Sequence, residues 1–170
     1  MPTPQAGEEV AVMQTNQGTI VLGFLPDKAP NHVANFKKLS NEGFYNGIKF
    51  HRVIPGFMIQ GGCPNTRDGA SGMPGTGNPG YSIDAEFNDT PHDRGILSAA
   101  RSASPNSAGS QFFIMVAKAP HLDGQYSAYG YVIEGMDVAD KIVALRGQGD
   151  VPTEPCIIES VTIQTWPLEG

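Results

Sequence analysis

Apolar residues recur at two spacings along this chain, and the switches between them divide it into short elements. Period-two runs cover 10–15 and 19–25, with Asn16, Gln17 and Gly18 between them, a hairpin signal. From Pro30 to Glu42 the spacing lengthens. Val33, Phe36 and Leu39 share one helical face, Pro30 suits a first turn, and Gly43 suits the C-terminal cap. Strand-like runs return at 48–54 and 57–60, broken at Pro55-Gly56, and again at 95–100, 111–116 and 129–133. A second helix is predicted over 137–145, with Val138, Ile142 and Leu145 inward, and a last strand over 157–165. Residues 61–80 are dense in Gly, Pro, Asn and Ser and read as a long surface loop.

About eight short strands with turn signals between them suggest a barrel or a sandwich, and periodicity alone does not choose. Closure into a barrel is attractive because it exposes no sheet edge. No internal repeat or linker interrupts the 170 residues, so one domain, 1–170, is expected.

Composition narrows the function more than the fold. The 21 glycines and 14 prolines fall between apolar runs, which fits a turn-rich β protein. A net charge of −6 argues against nucleic acid as a partner, because phosphate binding needs clustered Lys and Arg. No stretch is apolar enough to span a membrane, and MPTPQAGEEV does not read as a secretory signal. The expectation is a cytoplasmic protein, with Cys63 and Cys156 as free thiols. His32, His51, His92 and His121 lie far apart without metal-ligand spacing, so no metal is expected.

Several catalytic motifs fail in context. Gly75, Gly77 and Gly80 spell a dinucleotide fingerprint, but Pro74 precedes it, Pro79 interrupts it and no helix pattern follows. Asn88-Asp89-Thr90 matches a glycosylation sequon, but Pro91 follows it, and a surface turn is the simpler reading. No nucleophile elbow or Walker loop is present.

Two segments carry a stronger signal: 50–62, FHRVIPGFMIQGG, and 106–115, NSAGSQFFIM, the latter followed by Leu122-Asp123-Gly124. They resemble the cyclophilin family of peptidyl-prolyl cis/trans isomerases, and the resemblance covers nearly the whole chain. It implies a mainly β fold, a closed eight-stranded antiparallel barrel capped by two α-helices. It implies an isomerase acting on Xaa-Pro bonds of peptides and unfolded proteins, with no cofactor.

The chemistry agrees with such an assignment. Amide resonance sets a barrier of roughly 20 kcal/mol to prolyl rotation. No bond is made or cut, so a catalyst needs only to bind the twisted amide better than either planar form. In the twisted state the proline nitrogen regains a lone pair, and a fixed charged donor aimed there stabilises it.

The resemblance assigns that donor to Arg52 and its polar partner to Gln60. Phe57, Met58, Phe113 and Leu122 match the apolar slot. Alternation instead sends Phe112 and Ile114 to the opposite, core face. His51 matches a site histidine, read as structural or hydrogen-bonding and not as a general base, because no proton is transferred. Gln111 and the backbone at Ala100 and Arg101 are expected to bind the substrate main chain. His121 and Tyr126 complete the far wall.

The chain departs from the family pattern at three of these positions. His121 stands where members often carry a Trp that helps hold cyclosporin, so weakened binding of that drug is expected. Tyr126 replaces a frequent His, and Arg101 a frequent Asn. The loop 64–80, opened by Cys63, is longer than in compact members. A non-catalytic proline-peptide binding or chaperone module is the alternative, and a monomer is expected.

Overall fold

The computed structural model describes residues 3–168. Its first two strands, β1 (Glu9–Thr15) and β2 (Gly18–Phe24), form the expected hairpin, with Thr15 opposite Gly18. The Thr15 hydroxyl closes the turn. It donates to the Gly18 carbonyl at 2.7 Å and accepts from the Gln17 N–H at 3.0 Å. Helix α1 (Pro30–Asn41) follows, with Val33, Phe36 and Leu39 buried as their spacing required. Gly43, at φ +73, stands just past its end, where a left-handed residue stops a helix without steric cost.

The remaining strands are β3 (Arg52–Ile54), β4 (Met58–Gly61), β5 (Ile96–Ala99), β6 (Phe112–Met115), β7 (Ala128–Glu134) and β8 (Ile158–Thr165). Helix α2 (Met136–Val143) buries Val138 and Ile142, and Leu145 packs on the core from just beyond its end. Strand order is β3-β4-β6-β5-β7-β2-β1-β8, every neighbouring pair antiparallel.

The expected closed barrel is corrected here. The sheet is an open half-barrel whose edge strands, β3 and β8, share no ladder. The run 48–54 looked like one strand, but it changes partner midway. Ile48 and Phe50 bond to the start of β8 and the segment just before it, through Ile158 N–H to Ile48 O at 2.8 Å and Phe50 N–H to Cys156 O at 2.9 Å. Only residues 52–54 pair with β4. Three residues are too few to complete a ring of ladders, so Lys49 and Ile157 meet in a single bridge instead.

The sheet separates two apolar clusters. One face holds the main core, where the Phe36 ring lies within 6 Å of the Phe24, Tyr45, Phe112 and Tyr129 rings. The other face carries a smaller cluster that includes Met58, Phe113, Met115 and Leu122. Strand β6 serves both. Phe112 and Ile114 enter the core while Phe113 and Met115 enter the second cluster, as alternation required.

Candidate active site

Strand register assembles the site on the smaller cluster. Arg52 pairs with Gln60, Gln60 with Phe113, and Phe113 with Ser98. Directly opposed residues on neighbouring strands share a face. Four positions far apart in sequence therefore form one row across the sheet. At its end the Arg52 guanidinium approaches Gln60 Oε1 at 3.5 Å.

The row borders a pocket of about 120 Å³. That is well below the ~300 Å³ at which drug-sized sites begin, and it suits one small ring. Phe57, Met58, Phe113 and Leu122 supply its apolar walls, and Arg52 and Gln60 its polar edge. Ala100, Arg101 and Tyr126 complete the lining. The Tyr126 ring meets Phe113 edge-on at 5.6 Å, with the Arg101 guanidinium 4.5 Å from its centroid. Arg101 donates twice to Gln125 O, at 3.1 and 2.7 Å, and once to Ser102 O at 3.0 Å, which ties the rim together. Among the described residues, neither Arg52 nor Arg101 is ion-paired. The mouth of the pocket is thus positive although the chain carries −6 overall.

Gln111 stands beside the pocket, where its Oε1 accepts from Gln60 Nε2 at 3.1 Å. The Ala100 N–H is taken by the Gln111 carbonyl at 3.1 Å. Two residues named from the sequence lie elsewhere. His121 is exposed, with its ring 5.9 Å from that of Phe57. His51 lines a neighbouring cleft with Phe50, Pro74 and Cys156. Its Nδ1 is buried without a hydrogen-bond partner. Burial, and secondarily the Arg52 charge, lower its pKa to about 4, so the ring is neutral at pH 7.

The family follows from comparison. A model of the cyclophilin-type peptidyl-prolyl cis-trans isomerases matches residues 10–163. This chain is a cyclophilin.

Similar proteins agree with that assignment. A peptidyl-prolyl cis-trans isomerase of Synechococcus elongatus is 50% identical over 140 residues, covering 82% of this chain and 90% of its own. Peptidyl-prolyl cis-trans isomerase B of Bacillus subtilis is 47% identical over 131 residues, covering 76% and 83%. A Cryptosporidium parvum cyclophilin, solved in the presence of the dipeptide Ala-Pro, superposes with a TM-score of 0.83 at 31% identity. That match covers 92% of this chain and 99% of the other. As a cyclophilin, the protein is a peptidyl-prolyl cis-trans isomerase.

Sequence reading overlooked what lies beneath this cyclophilin's pocket. His92 is buried, and its ring stacks on Phe113 at 6.1 Å and 21°. Its Nδ1 lies 3.1 Å from Asp123 Oδ1 and its Nε2 lies 2.9 Å from the buried Ser98 hydroxyl. Burial lowers the His92 pKa, against the opposing pull of Asp123. A carboxylate only accepts, so the neutral ring carries its proton on Nδ1 and accepts from Ser98 at Nε2. An isolated His between Pro91 and Asp93 gives no sequence signal of such a role. Its one hint is the Asp123 beside pocket residue Leu122. Among the described residues, no group of three His, Cys, Asp or Glu could hold a metal ion.

Proposed function

We propose that this cyclophilin seats the proline ring of a peptide against Phe113 and catalyses rotation with Arg52 as the donor. The observation that carries this reading is the strand register, which sets Arg52 and Gln60 along the edge of a pocket that has apolar walls and is sized for one ring. Met58, Phe57 and Leu122 hold the ring away from water. As the amide twists, the proline nitrogen turns pyramidal and Arg52 donates to it. Gln60 orients Arg52 and, with Gln111, meets the substrate backbone. With the Ala100 N–H already engaged, the peptide chain meets the Ala100–Arg101 segment on its carbonyl side. His121 and His51 flank the peptide outside the ring pocket. Neutral His51 is not a proton donor, and rotation requires none.

The partners on this reading are proline-containing peptides and unfolded chains, bound by a monomer acting as one domain in the cytoplasm. Both cysteines are buried free thiols. No described helix is long and apolar enough to cross a membrane.

The test is isomerisation of a short proline peptide by wild type and Arg52→Ala. Loss of a transition-state donor lowers kcat/KM by about 10²–10³-fold. Equal rates would remove Arg52 from the mechanism and favour a module that binds proline without turning it.

A further inference from the structure

Cys63 leaves β4 two residues after its end and is fully buried. Its sulfur accepts two backbone hydrogen bonds from the far side of the long loop, from Gly75 N–H at 3.2 Å and Gly77 N–H at 3.3 Å. The carbonyls of these same two glycines both accept from Gln111 Nε2, each at 3.0 Å. Gln111 Oε1 then accepts from Gln60 Nε2 at 3.1 Å, and Gln60 Oε1 faces Arg52 Nη1 at 3.5 Å. A hydrogen-bonded path runs from a buried thiol through the loop and two amides to the guanidinium.

The path has a fixed polarity. A glutamine amide has a donor end and an acceptor end. Two carbonyls on Gln111 Nε2 can only be met by its NH₂, so its oxygen must turn toward Gln60. Gln60 must answer with its own NH₂, which leaves its oxygen for Arg52. If the loop carbonyls moved away, either amide could flip, and Gln60 would then present NH₂ to a cation. Correct presentation of Arg52 therefore depends on where the carbonyls of Gly75 and Gly77 are held.

Asn65 anchors this stretch through Met73 O and Thr76 Oγ1, each at 3.1 Å, but the N–H groups of the two glycines themselves are bound by Cys63. Most of this loop is exposed, including Met73 at 72%. Gly75 adopts φ +93, a conformation that side chains disfavour. A Cβ on Gly77 would stand 3.0 Å from the Cys63 sulfur and 2.9 Å from Pro64 Cγ, so the close approach requires glycine. We propose that Cys63 is a positioning residue for catalysis: by binding the amides of Gly75 and Gly77 it fixes the carbonyls that set the polarity of the Gln111–Gln60–Arg52 path. This rests on the reading of Arg52 as the donor.

The experiment measures kcat and KM on one proline tetrapeptide for Cys63→Ala, Cys63→Val, Cys63→Ser, Gln111→Ala, the Cys63→Ala/Gln111→Ala double variant and Arg52→Ala. Cys63→Ala and Cys63→Val lose the acceptor and lower kcat about tenfold, short of the ~10²-fold that a 1 Å misplacement costs. KM changes little, and Cys63→Ser, which keeps an acceptor, restores most of the rate. In the Gln111→Ala background the Cys63 substitution adds no further loss, because the path is already cut. A wild-type rate in Cys63→Ala, or the same loss with and without Gln111, overturns the proposal. A wild-type rate in Arg52→Ala overturns the donor reading instead. If neither apolar variant folds, hydrogen exchange of the wild type decides. Gly75 and Gly77 amides must be protected relative to exposed loop amides that have no acceptor, and rapid exchange at both rejects the sulfur as their acceptor and the proposal with it.

Discussion

Arg101 illustrates how much one side chain can organise. Its guanidinium joins Gln125 and Ser102 through their carbonyls and lies over the Tyr126 ring. Arg101→Ala is expected to loosen this rim, raising KM about threefold to tenfold and leaving kcat nearly unchanged in steady-state assays. Lys cannot substitute, because an ammonium lacks the planar fork that reaches two carbonyls at once. His121 has a different consequence. Its exposed imidazole beside Phe57 offers less apolar surface than an indole, so cyclosporin should bind weakly. Nanomolar binding by titration calorimetry would contradict this. At the residue scale the residues that line the candidate pocket were largely legible, because Arg52, Gln60 and Phe113 belong to long contiguous segments. His51 lines the neighbouring cleft with Phe50 and Pro74 while Arg52 lines the pocket, a division that the contiguous sequence does not show. His92 was invisible because its partners, Ser98 and Asp123, are brought to it only by folding.

At the scale of elements, α1 shows how local rules meet distant ones. Ala29 precedes the helix and offers no side-chain cap. Glu86, from the loop before β5, supplies one. Its carboxylate accepts from the His32 N–H at 2.8 Å and the Asn31 N–H at 3.2 Å, and touches His32 Nδ1 at 2.6 Å. Partial burial would raise the Glu86 pKa, but these contacts outweigh it and hold the group ionised. A carboxylate here also complements the helix dipole. Glu86→Ala should cost about 1–2 kcal/mol of stability, the scale of a lost cap, measured by urea unfolding. The sequence announced this helix through Pro30 and its apolar spacing, yet gave no sign of a cap more than fifty residues away. The same limit explains the barrel. Alternation marks 48–54 as extended throughout, but it carries no information about which neighbour each residue chooses. The change of partner near His51, which leaves the sheet open, is a tertiary event.

For the whole molecule, histidines taken out of water add to the response to acid that carboxylates held ionised by their partners also give. Burial lowers the pKa of His32, His51 and His92, that of His51 from 6.5 to about 4. The unfolded chain therefore binds protons that the folded chain refuses in the window below pH 6.5. Stability rises with pH across that window and is lost as pH falls through it toward the folded values. His51 alone contributes a slope of no more than about 1.4 kcal/mol per pH unit between pH 6.5 and 4. Urea midpoints should fall steadily over this range, and His51→Gln should flatten the curve. A flat wild-type profile would contradict the buried, neutral state of these rings.

Strand β6 has a consequence for how such a protein can change over generations. Phe112 and Phe113 are consecutive, but one belongs to the interior that keeps the chain folded and the other lines the pocket in which we propose that proline sits. Substitutions at neighbouring codons therefore answer to separate selective pressures. Smaller residues at 112 would threaten survival of the fold, and smaller residues at 113 would alter which peptides are served. New substrate preferences can accumulate on one side of this strand while the other side stays fixed.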